Sequence, residues 1–210
     1  MTPERAMRSR RMVRDYRDAP VPPELLERIV DLAARAPSAG KAQGWHLVAL
    51  RGADTARFWD LTLPADRRAA FAWPGLLRAP VLLLPFADPD AYVARYAEAD
   101  KAATGLGAGR DAWPAPYWTI DASFAVMSLL LAAHAEGLGA LFFAVRRGEA
   151  ELREALGVPA RLELLGAITM GWPSDAPRRP GASAGRRRRS AGEILRDGRW
   201  DAPWGGATDR

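Results

Sequence analysis

The chain contains 210 residues, of which 49% are hydrophobic and 26% charged, and its formal net charge is +5. This balance describes an ordinary globular domain, with or without a tail, rather than a disordered or fibrous chain. The absence of cysteine excludes disulfides, thiolate nucleophiles, iron–sulfur clusters and cysteine-ligated zinc. Because His46 and His134 are the only histidines, a multi-histidine metal site or a serine–histidine–aspartate triad is disfavoured. Any chemistry is therefore expected to use a reactive group that the chain binds rather than contains.

The positive charge is concentrated at the two ends of the chain. Residues 1–17 contain six arginines against Glu4 and Asp15, and residues 173–199 contain eight arginines against three acidic residues, so the middle is acidic. All but two of the basic residues are arginine. Arginine suits bidentate recognition of phosphate or carboxylate, although biased codon usage would produce the same count.

The apolar pattern predicts alternating helices and strands along the body of the chain. Helices are expected at Pro3–Met12, from Pro23 to the break at Pro37, and at Thr55–Leu61, Ala65–Leu77, Asp88–Asp100, Trp118–Gly137 and Glu149–Leu156. Strands are expected at Trp45–Leu50, Val81–Phe86, Ala140–Val145 and Leu162–Met170.

The strongest helical pattern runs from Trp118 to Gly137 and predicts the central helix of the core. Its apolar stripe is formed by Ile120, Phe124, Met127, Leu130, Leu131 and Ala135. The longest apolar run, Phe124–Ala135, is shorter than the roughly 18 to 20 residues of a membrane span, and the N-terminus lacks the apolar stretch of a secretory signal. A cytoplasmic protein without membrane contact is therefore expected.

Four segments suggest chemistry, and each has a plainer alternative. Arg10 and Arg14 would share one helix face as a phosphate clamp or form a solvated basic face. The small residues of Pro37–Trp45 would let backbone N–H groups approach a ligand or simply make a turn. Gly137–Gly139 has too few glycines for a dinucleotide fingerprint and favours core packing. The Arg186–Arg189 run suggests a nucleic-acid patch or a solvated tail.

The order and spacing of these segments change their interpretation. A twin-arginine start, a Pro-Ser-x-x-x-x-Gln-x-Trp loop, an Asp-containing helix ending in Gly-Leu-Gly, and a late Gly-Trp-Pro followed by arginines together resemble the FMN-dependent nitroreductase family, in its short actinobacterial-type branch. The resemblance covers about residues 5–200. It implies an α+β fold with a central, mostly antiparallel β-sheet flanked by helices, and an intertwined homodimer. Residues 1–172 would form the FMN-binding domain, and residues 173–210 an extended C-terminal arm packing on the partner subunit.

The resemblance also implies which residues hold the cofactor. Arg10 and Arg14, with neighbouring Arg11, would bind the FMN phosphate, and Arg188, with Arg186, would supply a second clamp. The loop residues expected along the ribityl chain and flavin ring are Pro37, Ser38, Ala39, Gly40, Lys41 and Gln43. Those expected against the ring are Phe142, Phe143 and Ala144.

Three positions depart from the family pattern. Met12 replaces a serine that often helps to hold the phosphate, Lys41 replaces the usual asparagine near the ring, and Gly44 replaces a proline. Lys41 has the larger consequence, because a cation near the pyrimidine end of the flavin would favour the anionic hydroquinone and raise the reduction potential. Its alternative is a lysine that points to solvent.

The implied reaction needs little acid–base machinery. NADH or NADPH would pass a hydride to flavin N5, and a nitroaromatic, quinone or similar flat acceptor would then remove it, with ping-pong kinetics. No protein side chain is predicted to be catalytic, no metal is expected, and both histidines are interpreted as structural. The aromatic rings of Trp113, Tyr117 and Trp118 are predicted to form a substrate wall, unless they only anchor a long loop.

Two other functions are compatible with the same residues. The same fold could serve a specialised flavoenzyme, either a biosynthetic dehydrogenase or a flavin-fragmenting enzyme similar to those that make the lower ligand of cobalamin. Alternatively, the basic ends could belong to a non-catalytic nucleic-acid-binding protein, which would be colourless and would bind DNA in a salt-dependent manner.

Overall fold

The computed structural model describes residues 1–177 and 179–205, and the chain divides into two units, Met1–Asp175 and Ala176–Arg210. Arg178 and residues 206–210 of the predicted arm lie outside the described residues. The helices of the first unit are α1 (Pro3–Ser9), α2 (Pro23–Ala33), α3 (Asp54–Thr62), α4 (Ala65–Arg68), α5 (Pro89–Ala97), α6 (Tyr117–Ala135) and α7 (Glu149–Ala155). Its strands are β1 (Trp45–Arg51), β2 (Val81–Ala87), β3 (Gly139–Phe143), β4 (Glu163–Leu164) and β5 (Ala167–Gly171). The second unit contains α8 (Ala191–Ile194).

The sheet has the order β1-β2-β5-β3, with β4 paired to β2, and all of these pairs are antiparallel. Every residue of β2 is buried, because successive side chains point into two different cores. Val81 and Leu83 face the core formed with α2 and α6, whereas Leu82 and Leu84 face the core formed with α3 and α7. The predicted α+β class, with an antiparallel sheet flanked by helices, is confirmed.

Helix α1 ends earlier than predicted. It stops at Ser9, and Arg10 adopts an extended conformation with ψ 135°. The next residues run along β3 instead, where Met12 forms a bridge with Ala140 and the Val13 N–H donates to the Ala140 carbonyl at 3.0 Å. The prediction that Arg10 and Arg14 share a helix face is therefore wrong, because a tertiary hydrogen bond replaces the helical one.

Two further boundaries differ from the predictions. The helix expected at Ala65–Leu77 is limited to α4, followed by a 3₁₀ turn at Pro74–Arg78, because Trp73 takes a non-helical conformation before the proline. The strand expected at Leu162–Met170 is interrupted between β4 and β5. Gly166 has φ 148°, and a Cβ there would lie 2.6 Å from the Phe143 carbonyl oxygen.

Helix α6 is the predicted central helix, but its orientation differs from the prediction. Ile120, Phe124 and Met127 are exposed by 36%, 47% and 40%, respectively. The helix is apolar on all sides, so its periodicity does not identify the inner face. Its buried residues are Trp118, Asp121, Ala122, Ala125, Val126, Leu129, Leu130, Ala132 and Ala133. The length and composition of α6 would also fit a membrane span, but half of its most apolar window is buried, as in a core helix.

Candidate functional site

The basic segment Arg10–Arg14 lies along the edge of β3. Gly139 makes this approach possible, because a Cβ at that position would lie 2.6 Å from a methyl carbon of Val13. The Gly-Leu-Gly motif thus has two separate physical roles. Gly137 takes φ 83° just after α6, and Gly139 leaves room for the basic segment.

The three arginines of this segment have different surroundings. The Arg14 guanidinium lies 5.0 Å from the centre of the Trp73 ring. One Arg10 Nη donates to the Met12 sulfur at 3.6 Å. Arg11 donates to the carbonyls of Arg8 and Arg10 at 2.7 and 3.0 Å, so this side chain is engaged by its own turn. Arg14 is the best placed of the three to bind an anion, since its guanidinium lies over a ring and its N–H edge can still donate.

The predicted ring-contact residues lie at the end of β3. Phe143 stacks on Trp59 with an interplanar angle of 2° and meets Phe58 edge-on, and Phe142 packs against the core formed with α2 and α6. Ala144 is exposed just beyond the strand. Both phenylalanine rings are thus partly buried by packing, and part of each ring stays exposed together with Ala144.

The small-residue loop that precedes β1, residues 37–44, has an unusual backbone. Gly40, Lys41 and Gln43 have φ values of 58°, 57° and 51°, a region that residues other than glycine rarely occupy. Ser38 Oγ accepts the N–H of Gln43 at 3.0 Å, which closes the loop on itself. We call residues 37–44 the flavin loop, after its predicted role.

The flavin loop is anchored by side chains to which sequence reasoning assigned no role, although the Asp of α6 was part of the family pattern. Asp121 of α6 accepts the Ala39 N–H at 2.8 Å and the Tyr92 hydroxyl at 2.9 Å. Arg95 of α5 donates to the Gly40 carbonyl at 2.8 Å. A single acidic residue in an otherwise apolar helix was the available signal for Asp121, because buried carboxylates need partners.

A cavity of about 570 Å³ lies between the end of α2 and the flavin loop. Its walls include two cationic side chains, Arg35 and Lys41, together with Ser38 and Gln43. Arg35 pairs with Asp31 at 3.3 Å, and Lys41 is exposed. The cavity therefore has two cationic side chains in its walls, of which Arg35 is already paired with an acidic residue.

The three rings of the predicted substrate wall do not share one environment. Trp113 and Trp118 are buried in a core cluster with Tyr92, and their indole N–H groups donate to the Leu106 carbonyl and the Glu163 carboxylate. Tyr117 is 38% exposed. The two tryptophans anchor the loop before α6, so the prediction of a substrate wall now rests on Tyr117.

The two histidines have local contacts. His46 Nε2 lies 3.6 Å from the Asp88 carboxylate, and His134 Nε2 lies 2.7 Å from the Ser9 hydroxyl. Within residues 1–177 and 179–205, no group of three or more acidic or histidine residues is arranged to hold a metal ion.

The second unit contains the predicted second clamp. Arg187 forms a two-pronged ion pair with Glu193, at 2.7 and 2.5 Å, and this contact lowers the pKa of Glu193 to about 2. Ser190 caps α8 through a capping box with the same glutamate. Arg186 and Arg188 are exposed. Glu193 therefore engages a neighbouring arginine rather than the two predicted to bind phosphate.

The predicted cofactor residues of the first unit fall into two groups at opposite edges of the sheet. The basic segment borders β3, and the flavin loop leads into β1. Three strand spacings, about 14 Å, separate these edge strands. A single chain thus presents two separate parts of the predicted site.

Comparison with known proteins identifies the class of fold and then the family. The FMN complex of a protein from Exiguobacterium sibiricum superposes with a TM-score of 0.69 at 19% identity, covering 93% of this chain and 96% of that one. This likeness shows a nitroreductase-like fold. The model of the nitroreductase family matches residues 7–172, so the chain belongs to the nitroreductase family.

Two curated relatives that are similar to this chain have different enzyme names. An NADH dehydrogenase from Thermus thermophilus is 32% identical over 79% of this chain and 84% of the relative. A 5,6-dimethylbenzimidazole synthase from Rhodospirillum rubrum is 31% identical over 79% of this chain and 79% of the relative. The chain is thus similar to both a dehydrogenase and a specialised biosynthetic enzyme.

Proposed function

We propose that the protein is an FMN-dependent NAD(P)H oxidoreductase that reduces nitroaromatics, quinones or similar flat acceptors by ping-pong hydride transfer. The observation that carries the proposal is the hydrogen-bonded position of the basic segment along β3, which lies within the region that matches the nitroreductase family. The dehydrogenase from Thermus thermophilus supports the choice of a nicotinamide donor.

The residues present fit FMN. Arg10 and Arg14 provide guanidinium donors suited to a phosphate, and the flavin loop, with its small residues and left-handed backbone, lines the cavity of about 570 Å³. When bound, FMN would supply the hydride-transfer chemistry that the side chains of this chain lack. The arginines would hold the phosphate end, the flavin loop would orient the ring, and Tyr117 would present an exposed ring to a flat acceptor.

The purified protein is expected to be yellow and to oxidise NADH or NADPH when a quinone or nitroaromatic compound is supplied. An absorbance spectrum with the flavin bands, followed by steady-state kinetics with each nicotinamide, tests the proposal. A colourless preparation that cannot be loaded with FMN, or that shows salt-dependent DNA affinity instead, would contradict it.

A specialised flavoenzyme is the second candidate, because the chain is 31% identical to the 5,6-dimethylbenzimidazole synthase. The same loaded protein separates the two functions. Flavin that is consumed during turnover favours the specialised enzyme, whereas flavin that is recovered intact favours the oxidoreductase.

We further propose that the active form is a cytoplasmic homodimer. Ile120, Phe124 and Met127 recur at helical spacing on the outer side of α6 and form an exposed apolar face. Pairing of two chains would cover this face, and it would allow the flavin loop of one chain to meet the basic segment of the other. The predicted role of residues 173–210 as an arm on the partner belongs to the same proposal.

Phe124→Glu is expected to convert the dimer into a monomer, because two buried carboxylates would replace two buried rings at the interface. Light scattering after size-exclusion chromatography gives the mass, and the absorbance spectrum gives the flavin content, which should fall in parallel. Leu32→Glu is the matched control, since Leu32 is 46% exposed on α2 and should leave the mass unchanged. A folded Phe124→Glu protein with the mass of the wild type would refute this interface.

A further inference from the structure

The flavin loop occupies a conformation that its own sequence does not favour. Lys41 and Gln43 have φ values of 57° and 51°, and both carry side chains that disfavour the left-handed region. Such a backbone persists only where the surrounding structure holds it. The contacts that hold this loop in its conformation are therefore needed for any function of the loop.

Asp121 provides the inner contact. Its side chain is buried, with the residue 7% exposed, and one carboxylate oxygen accepts both the Ala39 N–H and the Tyr92 hydroxyl. Burial and the adjacent carboxylate raise the pKa of Tyr92, so the phenol keeps the proton that it donates. A buried carboxylate with two directed donors is a fixed acceptor for the loop backbone.

Arg95 provides the outer contact. It donates from Nε to the Gly40 carbonyl at 2.8 Å, and Asp100 holds the rest of the guanidinium with two contacts of 2.7 and 2.8 Å. The loop is thus held at neighbouring residues from two helices. One helix accepts an N–H of the loop, and the other donates to a carbonyl.

We propose that Asp121 is a positioning residue, which acts through the Ala39 N–H to keep the flavin loop in the shape that receives the flavin. Tyr92 orients the Asp121 carboxylate, and Arg95 supports the same loop from outside. The inference rests on the proposed FMN function, but the anchoring of the loop is a property of the chain itself.

The test compares Asp121→Ala with Asp121→Asn and Tyr92→Phe. FMN affinity is measured by fluorescence titration of the apoprotein, and backbone amide exchange is measured across residues 38–44. Asp121→Ala is expected to weaken FMN binding by about tenfold or more and to accelerate exchange of the Ala39 amide, because the acceptor is lost. Asp121→Asn keeps an acceptor oxygen and should stay within about threefold of the wild type. Tyr92→Phe keeps the Ala39 contact and should also have the smaller effect.

Thr55→Ala is the matched control, since Thr55 is also buried, at 9% exposed, and its hydroxyl donates to the Gly52 carbonyl at the opposite end of β1 from the flavin loop. It should lower the melting temperature without changing FMN affinity. The proposal is overturned if Asp121→Ala has the same behaviour as this control.

If Asp121→Ala does not fold, Arg95→Gln is tested instead. This variant removes the hydrogen bond to the Gly40 carbonyl of the same loop without removing a buried side chain. Unchanged FMN affinity and unchanged amide exchange in Arg95→Gln would then reject the anchoring of the loop. If the wild type fails to bind FMN, the proposed function fails. Amide exchange at Ala39 in the unliganded variants still reports separately whether Asp121 holds the loop.

Discussion

Arg14→Ala is expected to weaken FMN binding by about 10- to 150-fold while leaving riboflavin binding unchanged. A hydrogen bond to a charged group contributes about 1.5–3 kcal/mol, which corresponds to this range of affinity. Arg14 is the more informative arginine because its guanidinium is already held over the Trp73 ring. Its loss therefore removes a pre-oriented donor rather than a freely moving one.

Riboflavin, which lacks the phosphate, is the control ligand for Arg14→Ala, and isothermal titration of the apoprotein measures both affinities. Arg8→Ala is the control variant, since Arg8 is exposed and pairs with Glu4 within α1. An equal loss of affinity for FMN and riboflavin would show that Arg14 acts on the fold and not on the phosphate.

Gly139→Ala is expected to lower the free energy of unfolding by about 1–3 kcal/mol, the usual cost of overpacking. The added Cβ would lie 2.6 to 2.8 Å from three side-chain carbons of Val13. Val13 must then move, and the basic segment on either side of it must move as well. FMN binding should weaken together with stability, as measured by denaturant unfolding and fluorescence titration.

The double variant Gly139→Ala/Val13→Ala is expected to regain part of both properties, because removal of the Val13 methyl groups makes room for the new Cβ. Gly192→Ala is the control, since a Cβ at that position would point into open space. A Gly139→Ala protein with the stability of the wild type, or a double variant that is less stable than the sum of the two single changes, would contradict the close approach of Val13 to β3.

The sheet and the central helix could be predicted because their signals are local. The apolar run of β2 is continuous because its residues alternate between two cores, and β1 and β3 begin after turn residues that the sequence marks clearly. The end of α1 could not be predicted in the same way. The Val13 N–H bonds the carbonyl of Ala140, which lies far along the chain, and no local sequence pattern indicates that contact.

The candidate site was predicted as a set of segments but not as a geometry. The residue types of the flavin loop suggested a ligand loop, yet its left-handed backbone and its hydrogen bonds to Asp121 of α6 and Arg95 of α5 have no signal in the loop's own sequence. The inner face of α6 was also beyond sequence reasoning, because a helix that is apolar all round has no preferred side. Tertiary contacts decided both points.

Helix α6 has a buried carboxylate on its inner side and an exposed apolar face on its outer side. In the proposed homodimer, a second copy that covers the outer face would bind only the folded chain, so mass action would make resistance to heat rise with protein concentration. Folding and assembly would then be a single equilibrium. The thermal robustness of this protein would depend on how abundantly it is made as well as on its sequence.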